Sequence, residues 1–283
     1  MLIEKIDLYE YFHIAREGAE RGTLTCFRHT QMEELRLRRL RPAVLVIPGG
    51  AYAFVSQREA EPVALRYFAQ GFDCFVLDYD IAPHSYPEQL TEAAMAMLYL
   101  RRERDALDLS GRIAAVGFSA GGHLCGCISL LWRDPALVSR FGKECADVRP
   151  DASVMCYPVV TADERYWHRD SFYHFCGGDE QKFQTYSLEK HVPADAPPVF
   201  LWTTDGDTCV PPENAVMLYR ALRNAHVPAE LHVFEEGGHG MSVADLESNA
   251  DYAGQRRYRR AARWVELSLD FLSAHGFTVE NAP

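Results

Sequence analysis

From residue 43 onward, short continuous apolar runs alternate with longer amphipathic stretches. Continuous apolar runs are typical of strands buried on both faces of a parallel sheet, and a period near 3.6 residues predicts helices. The predicted strands cover 43–47, 74–77, 113–116, 153–157, 199–203 and 230–234, and the predicted helices cover 59–70, 87–107, 121–132, 213–224 and 256–275. This alternation predicts an α/β fold, with a mostly parallel sheet of about eight strands and helices on both faces.

The segment before residue 43 has a different pattern. Residues 2–8 and 23–27 have strand character and are separated by the glycine-containing region 18–22, which predicts an antiparallel start to the sheet. The basic residues 36–41 lie between predicted strands without interleaved aromatic residues, so we interpret them as a solvated approach to the core. We expect a single domain over residues 1–283.

One segment interrupts the alternation of strands and helices. Residues 161–191 are polar and aromatic and lack strong periodicity. They lie between two predicted strands, at the sheet edge where long insertions commonly shape binding sites. We expect a cap insertion over the site, and the alternative is a surface excursion that packs on its own aromatic residues.

Composition and charge narrow the range of partners. The chain has 48% hydrophobic and 24% charged residues, as an ordinary soluble protein does, and its formal net charge is −11. That charge disfavours nucleic acid and an anionic membrane as partners. We find no export signal and no apolar run long enough to cross a bilayer, so we expect a cytoplasmic protein. The oligomeric state stays open.

The cysteines indicate buried thiols rather than a metal site. Eight cysteines are dispersed along the chain, and several lie inside apolar segments. Without an export signal we expect them to be reduced. Neither Cys-x-x-Cys nor His-Glu-x-x-His occurs, so we expect no metal, and no cofactor.

A nucleophile motif follows one of the predicted strands. Residues 117–121 read Gly-Phe-Ser-Ala-Gly and connect the strand 113–116 to the helix 121–132. A strand that runs through Gly-x-Ser-x-Gly into a helix is the nucleophile elbow of serine hydrolases. The small flanking residues let the strained turn approach its neighbours. Ser119 is therefore the candidate nucleophile.

A serine hydroxyl needs a base, and the base needs an acid to orient it. His239 lies in a Gly-Gly-His-Gly stretch directly after the strand 230–234, so we take it as the base. His123, four positions after Ser119, is the rival if it points back towards the elbow. The loop after the strand 199–203 offers Asp207 and Asp205, and we favour Asp207 because Asp205 is better placed to bond turn amides.

The oxyanion hole requires backbone N–H groups that face the reacting carbonyl. One donor is Ala120, the residue after the nucleophile. The loop 48–51 reads Pro-Gly-Gly-Ala and follows the first core strand, and we take Gly50 and Ala51 as the other donors. Such a Gly-Gly pair by itself is more often a simple turn.

These motifs, taken in order, resemble those of a known family. The chain is similar to the α/β-hydrolase esterases related to hormone-sensitive lipase and to bacterial acetyl and acetylxylan esterases. The matching segments are 48–51 (their His-Gly-Gly-Gly loop), 78–83 (their Asp-Tyr-Arg-Leu-Ala-Pro), 117–121, 207–211 and 238–240. Two features depart from the family: Pro48 and Ala51 replace a histidine and a glycine, and residues 1–41 lack a large helical cap.

The resemblance implies an α/β-hydrolase fold and a serine carboxylic ester hydrolase that needs no cofactor. We expect short acyl substrates, mainly acetyl esters of sugars or xylo-oligosaccharides, because no large lipase-type lid is present and aromatic residues could stack on a sugar. The candidate stacking residues, each with a plain packing alternative, are Tyr52, Phe54, Trp167 and Tyr173. Alternatives are a serine peptidase or amidase of the same fold, and a non-catalytic relative that binds a small ligand.

Overall fold

The computed structural model describes residues 1–16, 21–252 and 256–282, and the strands of these segments form one sheet of nine strands. The strands are β1 (Leu2–Asp7), β2 (Thr23–Arg28), β3 (Arg38–Ile47), β4 (Asp73–Asp78), β5 (Leu109–Phe118), β6 (Ala152–Cys156), β7 (Val199–Thr204), β8 (Ala229–Phe234) and β9 (Glu280–Ala282). The helices are α1 (Leu8–Phe12), α2 (Glu61–Phe68), α3 (Glu88–Arg102), α4 (Ala120–Leu130), α5 (Pro135–Phe141), α6 (Cys145–Val148), α7 (Arg169–Phe175), α8 (Glu213–Asn224), α9 (Arg256–Ala261) and α10 (Trp264–Ala274).

The strand order confirms the predicted fold class. The order across the sheet is β1-β2-β4-β3-β5-β6-β7-β8, and β9 pairs with β3. All neighbours from β4 to β8 pair in parallel, whereas β1 with β2 and β2 with β4 pair antiparallel. The antiparallel start was therefore predicted correctly, although the region 18–22 between its strands lies partly outside the described residues.

The sheet reverses its winding direction at β3. This strand lies between β4 and β5, so the chain first builds outward on one side and then crosses to the other. The loops after β3 and β5 consequently diverge and leave a crevice at the carboxyl ends of the strands, where ligands bind in open α/β sheets. The loop 48–51 after β3 and Ser119 after β5 lie at this crevice.

The side chains of β3 show why these apolar runs form buried strands. Leu45 and Ile47 face one side of the sheet and join the core under α3 and α4, whereas Val44 and Val46 face the core under α2 and α10. All four are fully buried. Because both faces are covered, the run has no polar position, which is why it reads as continuous.

Three element boundaries differ from the prediction. The segment 36–41 was expected to lie in solvent ahead of the sheet, but Arg38–Leu40 belong to the sheet and pair with β9. No local sequence pattern predicts this pairing. The helix predicted over 87–107 ends at Arg102, and Leu107 then packs back into the core ahead of β5. The helix predicted over 256–275 is divided into α9 and α10, and the buried Trp264 at the start of α10 donates its indole N–H to the Ser242 carbonyl at 2.9 Å.

Residues 161–191 contain α7 and two 3₁₀ segments, Glu180–Tyr186 and Leu188–Lys190. Two aromatic residues of this segment, Phe172 and Phe175, are buried beside α4 and contact His123. A capping role for this segment stays a prediction. Within the ranges described above, no helix has the length and apolarity that a bilayer crossing requires.

Candidate active site

Ser119 occupies the sharp turn between β5 and α4. Its φ of 53° and ψ of −118° lie outside the regions that a side chain normally adopts, as the elbow motif predicts. The Ser119 N–H donates to the Cys156 carbonyl at 3.0 Å, and its carbonyl accepts from His123 N–H at 3.1 Å. A Cβ on Gly121 would lie 2.2 Å from the Ile47 carbonyl oxygen, so only glycine allows this close approach.

His239 connects Ser119 to Asp207. His239 Nε2 lies 2.8 Å from Ser119 Oγ, and His239 Nδ1 lies 2.7 Å from Asp207 Oδ2. When the carboxylate is ionised it can only accept, so Nδ1 carries the proton and Nε2 accepts from the serine hydroxyl. This is the tautomer that a general base needs.

The structure brings Asp207 rather than Asp205 to the histidine. Asp207 is only 3% exposed, and its Oδ1 accepts the N–H groups of Cys209 and Val210 at 3.0 and 2.9 Å. These bonds orient the carboxylate so that its second oxygen faces His239. Asp205 is exposed on the same loop.

His123, the rival base, points away from Ser119. Its Nδ1 lies 2.8 Å from the Tyr52 hydroxyl, and its Nε2 lies 2.9 Å from the Tyr186 carbonyl oxygen. A carbonyl can only accept, so Nε2 carries the proton and Nδ1 accepts from the tyrosine. Burial lowers the pKa of His123 to about 4, and it therefore serves as a neutral core residue.

The loop after β3 presents the expected oxyanion donors. Gly50 has φ +124°, and a Cβ there would lie 1.9 Å from the Phe54 carbonyl oxygen, so the turn requires glycine. The Gly50 carbonyl accepts from the Ala53 and Phe54 N–H groups, which closes the turn. In the described chain, the N–H groups of Gly50 and Ala51 donate to no protein acceptor. Ala120 begins α4, where the first N–H groups have no intrahelical acceptor.

Two buried residues that sequence reasoning missed support both halves of the site. Glu59 accepts from Gly49 N–H at 2.9 Å and from the Tyr157 hydroxyl at 2.6 Å. The Tyr157 hydroxyl in turn accepts from Ser242 N–H at 2.9 Å, and its ring packs edge-on to the His239 ring at 5.0 Å. The one available signal was the position of Tyr157 directly after β6, at the catalytic edge of the sheet.

A small cavity lies over Ser119. Its volume is about 180 Å³. The lining residues are Gly50, Ala51, Phe54, Ser56, Arg58, Glu59, Ser119, His168, Cys209, His239 and Gly240. Sequence reasoning did not single out Arg58, His168 or Cys209, because their approach to Ser119 depends on loops that are far apart in the chain.

The aromatic candidates for substrate stacking are placed differently from the prediction. Tyr52 was wrong: it is fully buried, its hydroxyl faces His123, and its ring has no exposed face for a sugar. Trp167 packs on Phe183, and Tyr173 is 43% exposed beneath Arg169, and neither lines the cavity. Phe54 does line it.

Among the described residues, no three His, Cys, Asp or Glu side chains cluster closely enough to hold a metal ion. The eight cysteines are free thiols, seven of them buried, and Cys209 is exposed at the cavity. The cavity encloses the Cys209 thiol in part, and this partial desolvation, together with the charge of the nearby Asp207, raises the pKa of Cys209, so the thiol is protonated near neutral pH.

The fold and this site together define an α/β hydrolase. Residues 36–222 match the BD-FAE family, and the chain belongs to that family. The predicted resemblance to α/β-hydrolase esterases is thereby confirmed.

Individual relatives are hydrolases of esters and xylan. Endo-1,4-beta-xylanase B of Butyrivibrio fibrisolvens is 34% identical over 76% of this chain and 34% of its own length. The acetylxylan esterase of Xylanibacter ruminicola is 28% identical over 70% of this chain and 41% of its own length. The chain thus spans less than half of these two curated relatives. The crystal structure of an acetyl ester-xyloside bifunctional hydrolase from Caldicellulosiruptor lactoaceticus superposes with a TM-score of 0.75, at 29% identity, and covers 95% of this chain and 97% of its own.

Proposed function

We propose that this protein is a serine carboxylic ester hydrolase that cleaves short acyl esters through a covalent acyl-enzyme. The observation that carries the proposal is the hydrogen-bonded row from Ser119 Oγ to His239 Nε2 at 2.8 Å and from His239 Nδ1 to Asp207 Oδ2 at 2.7 Å. This row ends in a cavity beside the unpaired N–H groups of the loop after β3.

In the proposed acylation step, His239 removes the Ser119 proton while Oγ attacks the ester carbonyl carbon. Negative charge develops on the former carbonyl oxygen, which the N–H groups of Gly50, Ala51 and Ala120 stabilise. The intermediate collapses, the C–O bond to the alcohol breaks, and the His239 imidazolium donates its proton to the departing oxygen. Asp207 stays ionised and stabilises the imidazolium.

Deacylation repeats the same steps with water. His239 removes a proton from a water molecule that attacks the acyl carbonyl, and the oxyanion donors again hold the negative charge. Ser119 then leaves with the proton returned by His239, and the carboxylic acid is released. No step requires a metal, so we expect activity to persist after EDTA treatment.

The small cavity supports a short acyl group. Its volume of about 180 Å³ lies below the roughly 300–1,000 Å³ of sites that enclose drug-sized ligands. We propose acetyl esters of sugars or xylo-oligosaccharides as the substrate class. The acetylxylan esterase and the acetyl ester-xyloside hydrolase among the relatives are consistent with this choice.

The proposal is tested with p-nitrophenyl esters of increasing acyl length and with acetylated xylo-oligosaccharides. We expect kcat/KM to be highest for acetate, to decrease beyond butyrate, and to depend on Ser119. Ser119→Ala is the inactive variant, and Ser273→Ala, at an exposed position of α10, is its matched control. A preference for long acyl chains would contradict the substrate class, and peptide cleavage without acetyl ester turnover would contradict ester hydrolysis.

A further inference from the structure

His168 combines a helix-capping role with a position in the cavity wall. It precedes α7, and its Nδ1 accepts the Ser171 backbone N–H at 3.4 Å and lies 2.9 Å from Ser171 Oγ. A backbone N–H can only donate, so Nδ1 carries no proton. The neutral imidazole must therefore keep its proton on Nε2.

The surroundings of His168 keep the ring neutral. Burial lowers the pKa of His168, and the neighbouring His239 lowers it further. In the described chain, no hydrogen bond uses Nε2, although the ring lines the same cavity as Ser119 and His239. His168 thus offers the cavity an oriented N–H donor of fixed tautomer.

Arg58 supplies more N–H groups to this cavity. Its Nη1 donates to the Ser248 carbonyl at 3.3 Å, and its Nη2 would lie 3.2 Å from a Cβ on Gly240, beside the base His239. Among the described residues, no carboxylate lies within ion-pair distance of this guanidinium. Apart from the bond from Arg58 Nη1 to Ser248, the described residues offer these donors no protein acceptor. Such donors in the wall of a catalytic cavity suit a ligand that is rich in acceptor oxygens.

We propose that His168 Nε2–H and the Arg58 guanidinium bind hydroxyl or ring oxygens of the alcohol moiety of the ester, and so select polyhydroxylated alcohols such as sugars. This inference rests on the proposed ester hydrolysis. It assigns the selection of the alcohol to His168, in the segment 161–191, and to Arg58, and not to Tyr52, Trp167 or Tyr173.

The test compares two acetyl esters that differ in their alcohol moiety: p-nitrophenyl acetate, whose aryl group carries no free hydroxyl, and an acetylated methyl xyloside, which carries several. The main variant is His168→Ser, because serine keeps an N-cap acceptor for α7 while the Nε2–H donor is lost. Arg58→Leu removes the second donor. His191→Ala is the control, since His191 is exposed on the same segment and is absent from the cavity wall.

We expect each of His168→Ser and Arg58→Leu to raise KM for the xyloside ester about 10-fold, as the loss of one hydrogen bond does. The decrease in kcat/KM should be at least about fivefold larger for the xyloside ester than for p-nitrophenyl acetate. His168→Gln, which can place an amide N–H near the Nε2 position, should recover part of the selectivity. His191→Ala should retain the wild-type ratio.

Equal losses on both substrates would overturn the proposal, because His168 would then act on the triad rather than on the alcohol. Unchanged selectivity in both variants would overturn it as well. In either case, Ser119-dependent hydrolysis of p-nitrophenyl acetate leaves the proposed function standing. If the wild-type protein hydrolyses neither ester, the proposed function fails, and this inference fails with it.

Discussion

Glu59 and Tyr157 share a buried hydrogen bond of 2.6 Å that joins the two halves of the candidate site. The other Glu59 oxygen accepts from Gly49 N–H in the oxyanion loop at 2.9 Å. The Tyr157 hydroxyl accepts from Ser242 N–H, three residues after His239, at 2.9 Å. One carboxylate and one phenol therefore set the spacing between the oxyanion loop and the histidine loop.

Tyr157→Phe tests this connection. The substitution removes a donor from the buried Glu59 and an acceptor from Ser242 N–H, so we expect a loss of about 1–3 kcal/mol in the free energy of unfolding. Because the two loops lose their spacing, kcat should decrease about 10-fold or more while KM changes little. Urea unfolding and steady-state kinetics measure both effects.

Tyr173→Phe is the control for this variant, because Tyr173 is 43% exposed and absent from the cavity wall. If Tyr157→Phe lowers stability but leaves kcat at the wild-type value, the connection is structural only and has no positioning role.

Ser119 and His239 are expected to act as one unit. Ser119→Ala and His239→Ala should each lower kcat by about 10⁴ or more with little loss of folded protein, and the double variant should cost hardly more than either alone. The reason is that the base has no function without the nucleophile, and the nucleophile is not activated without the base. Losses that multiply in the double variant would show that the two residues contribute independently.

The choice between the two aspartates is tested by Asp207→Asn and Asp205→Asn. Asparagine at position 207 has one acceptor oxygen and no charge, so it cannot bond the loop N–H groups and also hold and stabilise the protonated His239. We therefore expect kcat to decrease by about 10³–10⁴. Asp205 is exposed and lies outside the hydrogen-bonded row, so the matched change should leave most of the activity. The reverse order of activities would assign the acid role to Asp205.

His123 makes stability depend on pH. Its pKa is lowered by burial from 6.5 to about 4 in the folded protein, so the unfolded state binds more protons between these values. The stability that comes from keeping His123 neutral is therefore fully present above pH 6.5. As the pH falls towards 4, the free energy of unfolding decreases by about 3 kcal/mol in total.

His123→Gln removes this titration. The free energy of unfolding should be lower at pH 7, because the contacts with Tyr52 and Tyr186 are altered, but it should decrease less steeply from pH 6.5 to 4 than in the wild type. Denaturant unfolding at several pH values gives both slopes, and His191→Gln at an exposed position serves as the matched control. Parallel curves for the wild type and His123→Gln would contradict the assignment.

The amino-acid pattern was enough to predict the architecture and the motifs that lie within single segments. Val44 to Ile47 is apolar without interruption because helices cover both faces of β3, so the buried strand leaves a direct trace in the sequence. The turn at Ser119 is only partly local: Gly117 is required by the Gly121 carbonyl four residues later, whereas Gly121 is required by the Ile47 and Pro48 carbonyls at the end of the neighbouring strand β3.

Tertiary structure decided what depends on residues that are far apart in the chain. The sequence favoured Asp207 over Asp205, but the contact of Asp207 with His239 depends on how loops at different strand ends meet. The separation of His123 from the nucleophile and the burial of Tyr52 depend on packing between distant segments in the same way. Glu59 and Tyr157 are 98 positions apart, so no spacing rule connects them. Side-chain direction in a loop is determined by packing against other elements, and a single sequence carries no periodic signal for such contacts.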